Sequence, residues 1–297
     1  MEDFDTLKKY YDDTLNTDKS TYTSSNDEPT PIDCVCEMID AVPEDLWKRK
    51  DLSILDPCCG NGNFHLPIFF KLREHHETRD ILENILEFND LNTQRLQNVS
   101  NVFCQDSYKL QISSKDFLVY DTPKRYDLIV ANPPYAKLMP DGKRASKNHN
   151  LIKDFIEKTL SLLKPDGYLL FITPDNWMSY ADRNTLIQKL TGLQVLHLDI
   201  HGAKKYFKKI GSSFTWYIIQ NSKSYKDMKV TGVWKKRAYS DSVPSKVRKY
   251  IPLVYTKIVH DILTKTVDNQ ALKKFQVETS SDLHKYTKRD LIVTEED

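Results

Sequence analysis

From about residue 30 the apolar positions fall into short blocks whose spacing switches between the helical and the extended period. Ile32 to Val42 predicts a helix, and Leu52-Ser53-Ile54-Leu55 a short apolar strand. A second helix is expected to begin near His65, a second strand to lie over Asn84 to Asn89 and a third over Asn101 to Cys104. Asp127-Leu128-Ile129-Val130 is the fourth strand. Ile152, Phe155, Ile156, Leu160 and Leu163 then mark one face of a helix from Asn150 to Lys164. Gly167 to Ile172, Leu193 to Ile200 and Phe214 to Ile219 predict three more strands, the last rich in aromatic and β-branched residues. A final helix is expected from Pro252, with Leu253, Val254, Ile258, Val259 and Ile262 along one side, whereas Asn16 to Thr30 is polar and reads as a loop.

Strands of four to eight residues alternating with helices predict an α/β fold: an open, mainly parallel sheet with helices on both faces. Ligands in such sheets bind beyond the carboxyl ends of the strands, so the turns that follow the strands are where chemistry is to be sought.

Composition narrows the class. With 297 residues, 39% of them apolar, the chain closes one sizeable core and has length left for a small second segment. No stretch approaches the length of an uncharged membrane span, and the first residues, Met1-Glu2-Asp3-Phe4-Asp5, are acidic where a signal peptide is basic, so a soluble intracellular protein is expected. The five cysteines are irregularly spaced and form no Cys-x-x-Cys pair, which predicts free thiols and no metal site.

The net charge of +1 conceals a gradient. Residues 1–60 hold fifteen Asp and Glu against six Lys and Arg, whereas residues 201–260 hold fourteen Lys and Arg against two Asp. Aromatic residues, among them Trp216, Trp234 and Tyr239, are interleaved with the basic stretch, a composition suited to a polyanion with stackable bases; an ordinary solvated face is the alternative.

Three turns follow in order. Asp56-Pro57-Cys58-Cys59-Gly60-Asn61-Gly62-Asn63-Phe64 follows the first strand and places two of the chain's eight glycines where a ligand would approach a helix N-terminus. A plain tight turn is the alternative, and a dinucleotide site is disfavoured because the third glycine of Gly-x-Gly-x-x-Gly is absent. Phe88-Asn89-Asp90-Leu91-Asn92 ends the second strand with a carboxylate placed to accept ribose hydroxyls. Phe103-Cys104-Gln105-Asp106 ends the expected third strand, with Asp106 facing an adenine amine. Each aspartate has a second possible use as a helix cap.

The fourth strand ends in Asn132-Pro133-Pro134-Tyr135. As structure alone, this is a stiff turn. As chemistry, the Asn132 side-chain oxygen and the Pro133 carbonyl would accept the two hydrogens of a nucleobase amine, whose lone pair is otherwise delocalised into the ring, and so free that pair for attack. Tyr135 would supply an aromatic face for a base turned out of its helix.

In this order of motifs the chain resembles the γ group of S-adenosylmethionine-dependent DNA adenine-N6 methyltransferases of type II modification systems, from about residue 29 to 221. The resemblance implies a Rossmann-like methyltransferase fold with a mostly parallel seven-stranded sheet. It divides the chain into a polar lead-in over 1–28, a catalytic domain over 29–222 and a small basic target-recognition segment over 223–297. Pro29-Thr30-Pro31-Ile32 is similar to the family's Thr-Pro motif. Cofactor contacts are thereby expected from Thr30, Asp56, Pro57, Cys58, Gly60, Gly62, Phe64, Asp90, Leu91, Asp106 and Asn132, and catalysis from Asn132, Pro133, Pro134 and Tyr135. Phe207, with Phe214 as the fallback, matches the aromatic residue that holds the second face of the base; for Phe214 the alternative is a core residue. Lys137, Lys143, Arg144 and Lys147, in a loop read as a flap, together with Lys204, Lys205, Lys208, Lys209, Lys235, Lys236 and Arg237, are the expected contacts to the DNA backbone. A restriction endonuclease acting on the same site is the expected partner of double-stranded DNA modification.

The recognition segment is short for the family, so either a compact module reads a short site or the chain is cut short. Two rival readings stand beside the leading one. Asn-Pro-Pro-Tyr also occurs in methyltransferases of RNA amines, cytosine N4 and protein glutamine, and a non-catalytic DNA-binding specificity subunit would keep the fold without the reaction.

Overall fold

The computed structural model describes residues 2–22, 28–103, 107–135, 151–179, 185–207 and 213–267. Two compact units divide the chain, residues 1–257 and 258–297. The first opens with α1 (Phe4–Tyr10), prolonged by a wider helical turn over Tyr11–Leu15, and α2 (Ile32–Ile39). There follow β1 (Ile54–Asp56), α3 (His65–Leu72), α4 (Thr78–Asp80), β2 (Leu86–Asn89), α5 (Thr93–Phe103), β3 (Gln111–Ser113) and β4 (Tyr126–Ala131). The second half adds α6 (Leu151–Leu162), β5 (Leu163–Pro174), α7 (Thr185–Thr191), β6 (Gln194–Ile200), β7 (Phe214–Gln220), β8 (Met228–Trp234) and β9 (Arg237–Val243). Helix α8 (Lys257–Lys265) begins at the boundary and runs into the second unit. Among the described residues no helix is long and apolar enough to cross a membrane.

All nine strands form one sheet in the order β3-β2-β1-β4-β5-β7-β6-β8-β9. Strands β1 to β6 and β8 run parallel; β7 is antiparallel to both of its neighbours, and β9 to β8. The sheet therefore departs from the seven strands expected. Its two additional strands come from residues 228–243, inside the segment assigned to recognition: β8 pairs with β6, and β9 with β8. The first of them alternates: Met228, Val230 and Gly232 are buried while Lys229 and Thr231 between them are not, as half-buried pairing requires.

The expected third strand is also corrected. Asn101, Val102 and Phe103 are the last turn of α5, and β3 lies at Gln111–Ser113. The buried residues Leu96, Val99, Val102 and Phe103 recur every three to four positions, a helical face whose last two members alone imitate an extended run. Phe103 therefore ends a helix rather than lying in a strand, and residues 104–106 lie outside the described residues.

Alternate residues of each strand pack on opposite faces. Leu128, Val130, Leu170, Ile172, Trp216 and Ile218 share a core with buried residues of α1, α2, α3 and α5, while Ile129, Ala131, Leu169, Phe171, Tyr217 and Ile219 are equally buried on the other face. On that second face Phe155 of α6 meets Phe117, and Trp177 meets Tyr217 edge-on. Both faces are thus dry, and Asp56, Asp90 and Asn132 stand at the carboxyl ends of the strands.

Candidate active site

Strand β1 delivers Asp56 to the rim almost wholly buried, and its carboxylate accepts the Cys58 N–H at 3.0 Å. Burial, and secondarily the nearby Asp90, push its pKa well above the usual carboxylate range. The glycine turn then coils into α3: Gly62 N–H donates to Cys59 O at 2.8 Å, and Leu66 N–H to Gly62 O at 3.1 Å. Gly60 and Gly62 have φ of +56° and +86°, the left-handed region that side chains resist. A Cβ on Gly62 would lie 3.2 Å from Phe103 and 3.3 Å from the Tyr11 hydroxyl, whereas one on Gly60 would meet nothing within 4 Å. One glycine is demanded by packing, and the other leaves open space above the turn.

That space is a cleft of about 450 Å³, part of it open to solvent. Six of the expected cofactor residues line it: Thr30, Asp56, Cys58, Gly60, Phe64 and Asn132. Pro57, Gly62, Asp90 and Leu91 do not line it. The Pro57 carbonyl accepts from Asn89 Nδ2 at 2.9 Å. Asp90 accepts Gly60 N–H at 2.8 Å through one oxygen and Asn92 N–H at 2.8 Å through the other, so it braces the glycine turn from below. Leu91 is 68% exposed, an apolar side chain left uncovered. Asp106 lies outside the described residues.

Several residues here carried no signal in the sequence. Tyr11 is fully buried and donates its hydroxyl to Asn61 O at 2.7 Å. Asn61 Nδ2 reaches back to Leu15 O at 3.3 Å, and Asn63 Nδ2 donates to Thr30 O at 2.8 Å and to Asn16 Oδ1 at 3.1 Å. The lead-in is thereby stitched onto the glycine turn. Tyr22 and Arg95, with the guanidinium 5.3 Å from the ring centroid, line the cleft as well.

At the end of β4, Asn132 is held from two sides. Its Nδ2 donates to the Glu28 carbonyl at 3.3 Å, and its Oδ1 accepts the Tyr135 hydroxyl at 2.7 Å. Pro133 is buried and Pro134 exposed. The Tyr135 ring lies 6.2 Å from Phe214, which lies 4.6 Å from Phe207, and both phenylalanines are 3% exposed. The three aromatic residues expected around a base are therefore contiguous, with Phe214 touching both of the others. Burial raises the Tyr135 pKa well above the ordinary phenol value, keeping it a hydrogen-bond donor.

Of the expected backbone contacts, Lys137, Lys143, Arg144, Lys147, Lys208 and Lys209 lie outside the described residues. Lys204 is half-buried, and Lys205 bonds Glu37 of α2 at 2.5 Å beside the Tyr206 hydroxyl, which donates to the same carboxylate at 2.6 Å. Lys235, Lys236 and Arg237 are exposed. The four described cysteines are free thiols. Glu44, Glu74 and His75 bring ligand atoms within 4.8 Å of one another, but Lys71 Nζ stands 3.1 Å and 3.5 Å from the two glutamates and already supplies the cation.

Known proteins match this architecture. A protein of Listeria monocytogenes described as a class I S-adenosylmethionine-dependent methyltransferase superposes with a TM-score of 0.60 at 16% identity, covering 77% of this chain and 73% of that one. The Type II methyltransferase M.VspI of Vibrio sp. (strain 343) is 28% identical over 182 residues, which are 57% of this chain and 42% of that protein. The tRNA1(Val) (adenine(37)-N6)-methyltransferase of Bacteroides thetaiotaomicron is 31% identical over 81 residues, 25% of this chain and 33% of that protein. The chain spans less than half the length of these two curated relatives. The fold is that of the class I S-adenosylmethionine-dependent methyltransferases, extended by two strands. The Eco57I restriction-modification methylase family matches over residues 46–201, from before β1 to the end of β6 and through the Asn132 turn, and the chain belongs to that family.

Proposed function

We propose that the chain transfers the methyl group of S-adenosylmethionine to N6 of an adenine turned out of duplex DNA, as the modification enzyme of a restriction-modification system. The cleft fits that cofactor in three respects. Thr30 Oγ1 is buried at its wall with no hydrogen-bond partner among the described residues, so a ligand's polar end would satisfy it. Gly60 leaves room for close approach to the backbone. Leu91 offers an exposed apolar surface beside the turn that Asp90 braces. When bound, the cofactor supplies a methyl carbon on a sulfonium whose leaving group is a neutral thioether.

The observation that carries the reading is the double restraint on Asn132. With Nδ2 committed to Glu28 and Oδ1 to Tyr135, the carboxamide cannot rotate freely, and Oδ1 keeps a second lone pair for a hydrogen of the incoming amine. The Pro133 carbonyl would take the other hydrogen. Fixing the amine in this pose before reaction is the main source of rate, worth up to about 7 to 11 kcal/mol in favourable systems. Phe207 and Phe214 must yield space for the purine on the far side of Tyr135. Asn132→Ala is expected to leave cofactor binding nearly intact and to remove most turnover. Isothermal titration and tritium transfer to DNA test this, and wild-type turnover in the variant refutes the role.

The similarity to the tRNA adenine-N6 enzyme favours RNA as the second acceptor to examine. Duplex DNA, RNA and a glutamine peptide offered side by side distinguish the acceptors. A restriction endonuclease sharing the site remains the proposed partner, and restriction challenge of plasmid from expressing cells would name the sequence modified.

A further inference from the structure

Strand register fixes where the β8–β9 hairpin points. Paired residues run in one row across the sheet from Ala131 through Phe171, Tyr217 and Leu198 to Val230, so Thr231 is level with Asn132. Because β8 is parallel to β6, it leaves the sheet at the same carboxyl rim as Asn132. Trp234 lies three residues beyond that level, which at about 3.3 Å per residue raises it about 10 Å above the rim.

The tip, Trp234-Lys235-Lys236-Arg237, carries an exposed indole and three consecutive exposed cations, and residues 228–237 contain no acid. Lys235 and Lys236 have φ of +46° and +65°. Two-residue turns of this hand favour Asn-Gly, so lysines occupy positions where they cost stability. Strain retained at an exposed tip points to use. The hairpin beneath is closely packed: the Tyr239 ring covers Gly232 across the ladder and leaves no room for a Cβ, and the Tyr239 hydroxyl donates to Leu253 O at 3.0 Å.

We infer that this tip is a duplex-binding finger that grips the DNA backbone five to six base pairs from the methylated base, with the lysines and Arg237 on phosphates and Trp234 packed against a sugar. The inference rests on the reading of the chain as a DNA methyltransferase and specifies how that enzyme holds its substrate. Four strand spacings separate β4 from β8, about 19 Å, and a duplex lying along the rim advances about 3.4 Å per base pair. Three consecutive cations suit a phosphate backbone rather than a neutral surface.

The test exchanges the turn for its preferred sequence. Lys235→Asn with Lys236→Gly removes two charges while relaxing the backbone, so the variant should melt no lower than wild type and bind cofactor equally. Anisotropy with labelled duplexes, full length and with each flank shortened in turn, should show at least about tenfold weaker binding at 0.15 M salt. The slope of log affinity against log salt should fall by about two. Wild type should lose a similar factor when one flank drops below about five base pairs, and the variant should not. Trp234→Ala should weaken duplex binding severalfold with little change in slope. Equal affinity, slope and flank dependence in variant and wild type, with wild type methylating duplex, would overturn the finger alone. A wild type that binds no duplex would overturn the finger together with the DNA reading.

Discussion

The Tyr135 hydroxyl and the Asn132 side-chain oxygen are 2.7 Å apart, three residues from one another, so the aromatic member of the motif also orients the polar one. Tyr135→Phe keeps the ring and deletes that bond. A neutral hydrogen bond is worth about 1 kcal/mol, and 1.4 kcal/mol is a factor of ten. The variant is expected to lose about five- to tenfold in single-turnover rate with unchanged cofactor affinity; an unaltered rate would show that Glu28 alone suffices to hold Asn132.

The two glycines of the first turn should respond differently to alanine. A left-handed alanine costs about 1 to 2 kcal/mol at either position. Gly62→Ala must in addition displace Phe103 and the Tyr11 hydroxyl, whereas Gly60→Ala meets open space. Urea denaturation should rank Gly62→Ala as the less stable, while Gly60→Ala, whose new methyl faces the cleft, should lower cofactor affinity more than stability. The reverse ranking would contradict the geometry.

Tyr11→Phe would leave the Asn61 carbonyl buried without its partner, at a cost of about 1 to 3 kcal/mol. Its urea midpoint should fall with an unchanged slope. Cofactor affinity should fall severalfold, because the freed carbonyl belongs to the turn that lines the cleft.

Asp199 and His197 on β6 set opposing pH trends. Burial above all raises Asp199 from 3.8 to about 6, against hydrogen bonds from Thr231 and the Ala203 N–H; burial, then Lys229, lowers His197 from 6.5 to about 4. Asp199 is protonated more readily in the folded state, so its contribution is present at low pH and lost as pH rises from about 4 to 6. His197 resists protonation when folded, so its contribution grows over about pH 4 to 6.5. The two oppose each other in one window. Asp199→Asn should remove the falling trend and steepen the rise of stability with pH, by at most about 1.4 kcal/mol per pH unit; parallel profiles for variant and wild type would exclude Asp199 as the source.

The strand ends were legible because each is a local event: an apolar run stops, and a turn with a chemical side chain follows. Asp56, Gly60 and Asn132 reach one cleft for that reason. The brace on the site was not legible, since Tyr11 meets Asn61 across 50 residues and Glu28 meets Asn132 across 104, with nothing in either local pattern to announce the pairing. Asp90 illustrates the intermediate case. It sits at the rim where expected, yet its oxygens hold the backbone of the neighbouring turn. Local periodicity also misleads when a block is short, as Val102-Phe103 did.

Strand β7 runs against its neighbours, so its first residue, Phe214, emerges at the edge where β6 ends. The connection from Ile200 to Phe214 therefore starts and finishes at the carboxyl rim, the end of the sheet that carries Asn132. Both ends of that connection are fixed by strand pairing, so its length can vary at the rim without changing the register of any strand.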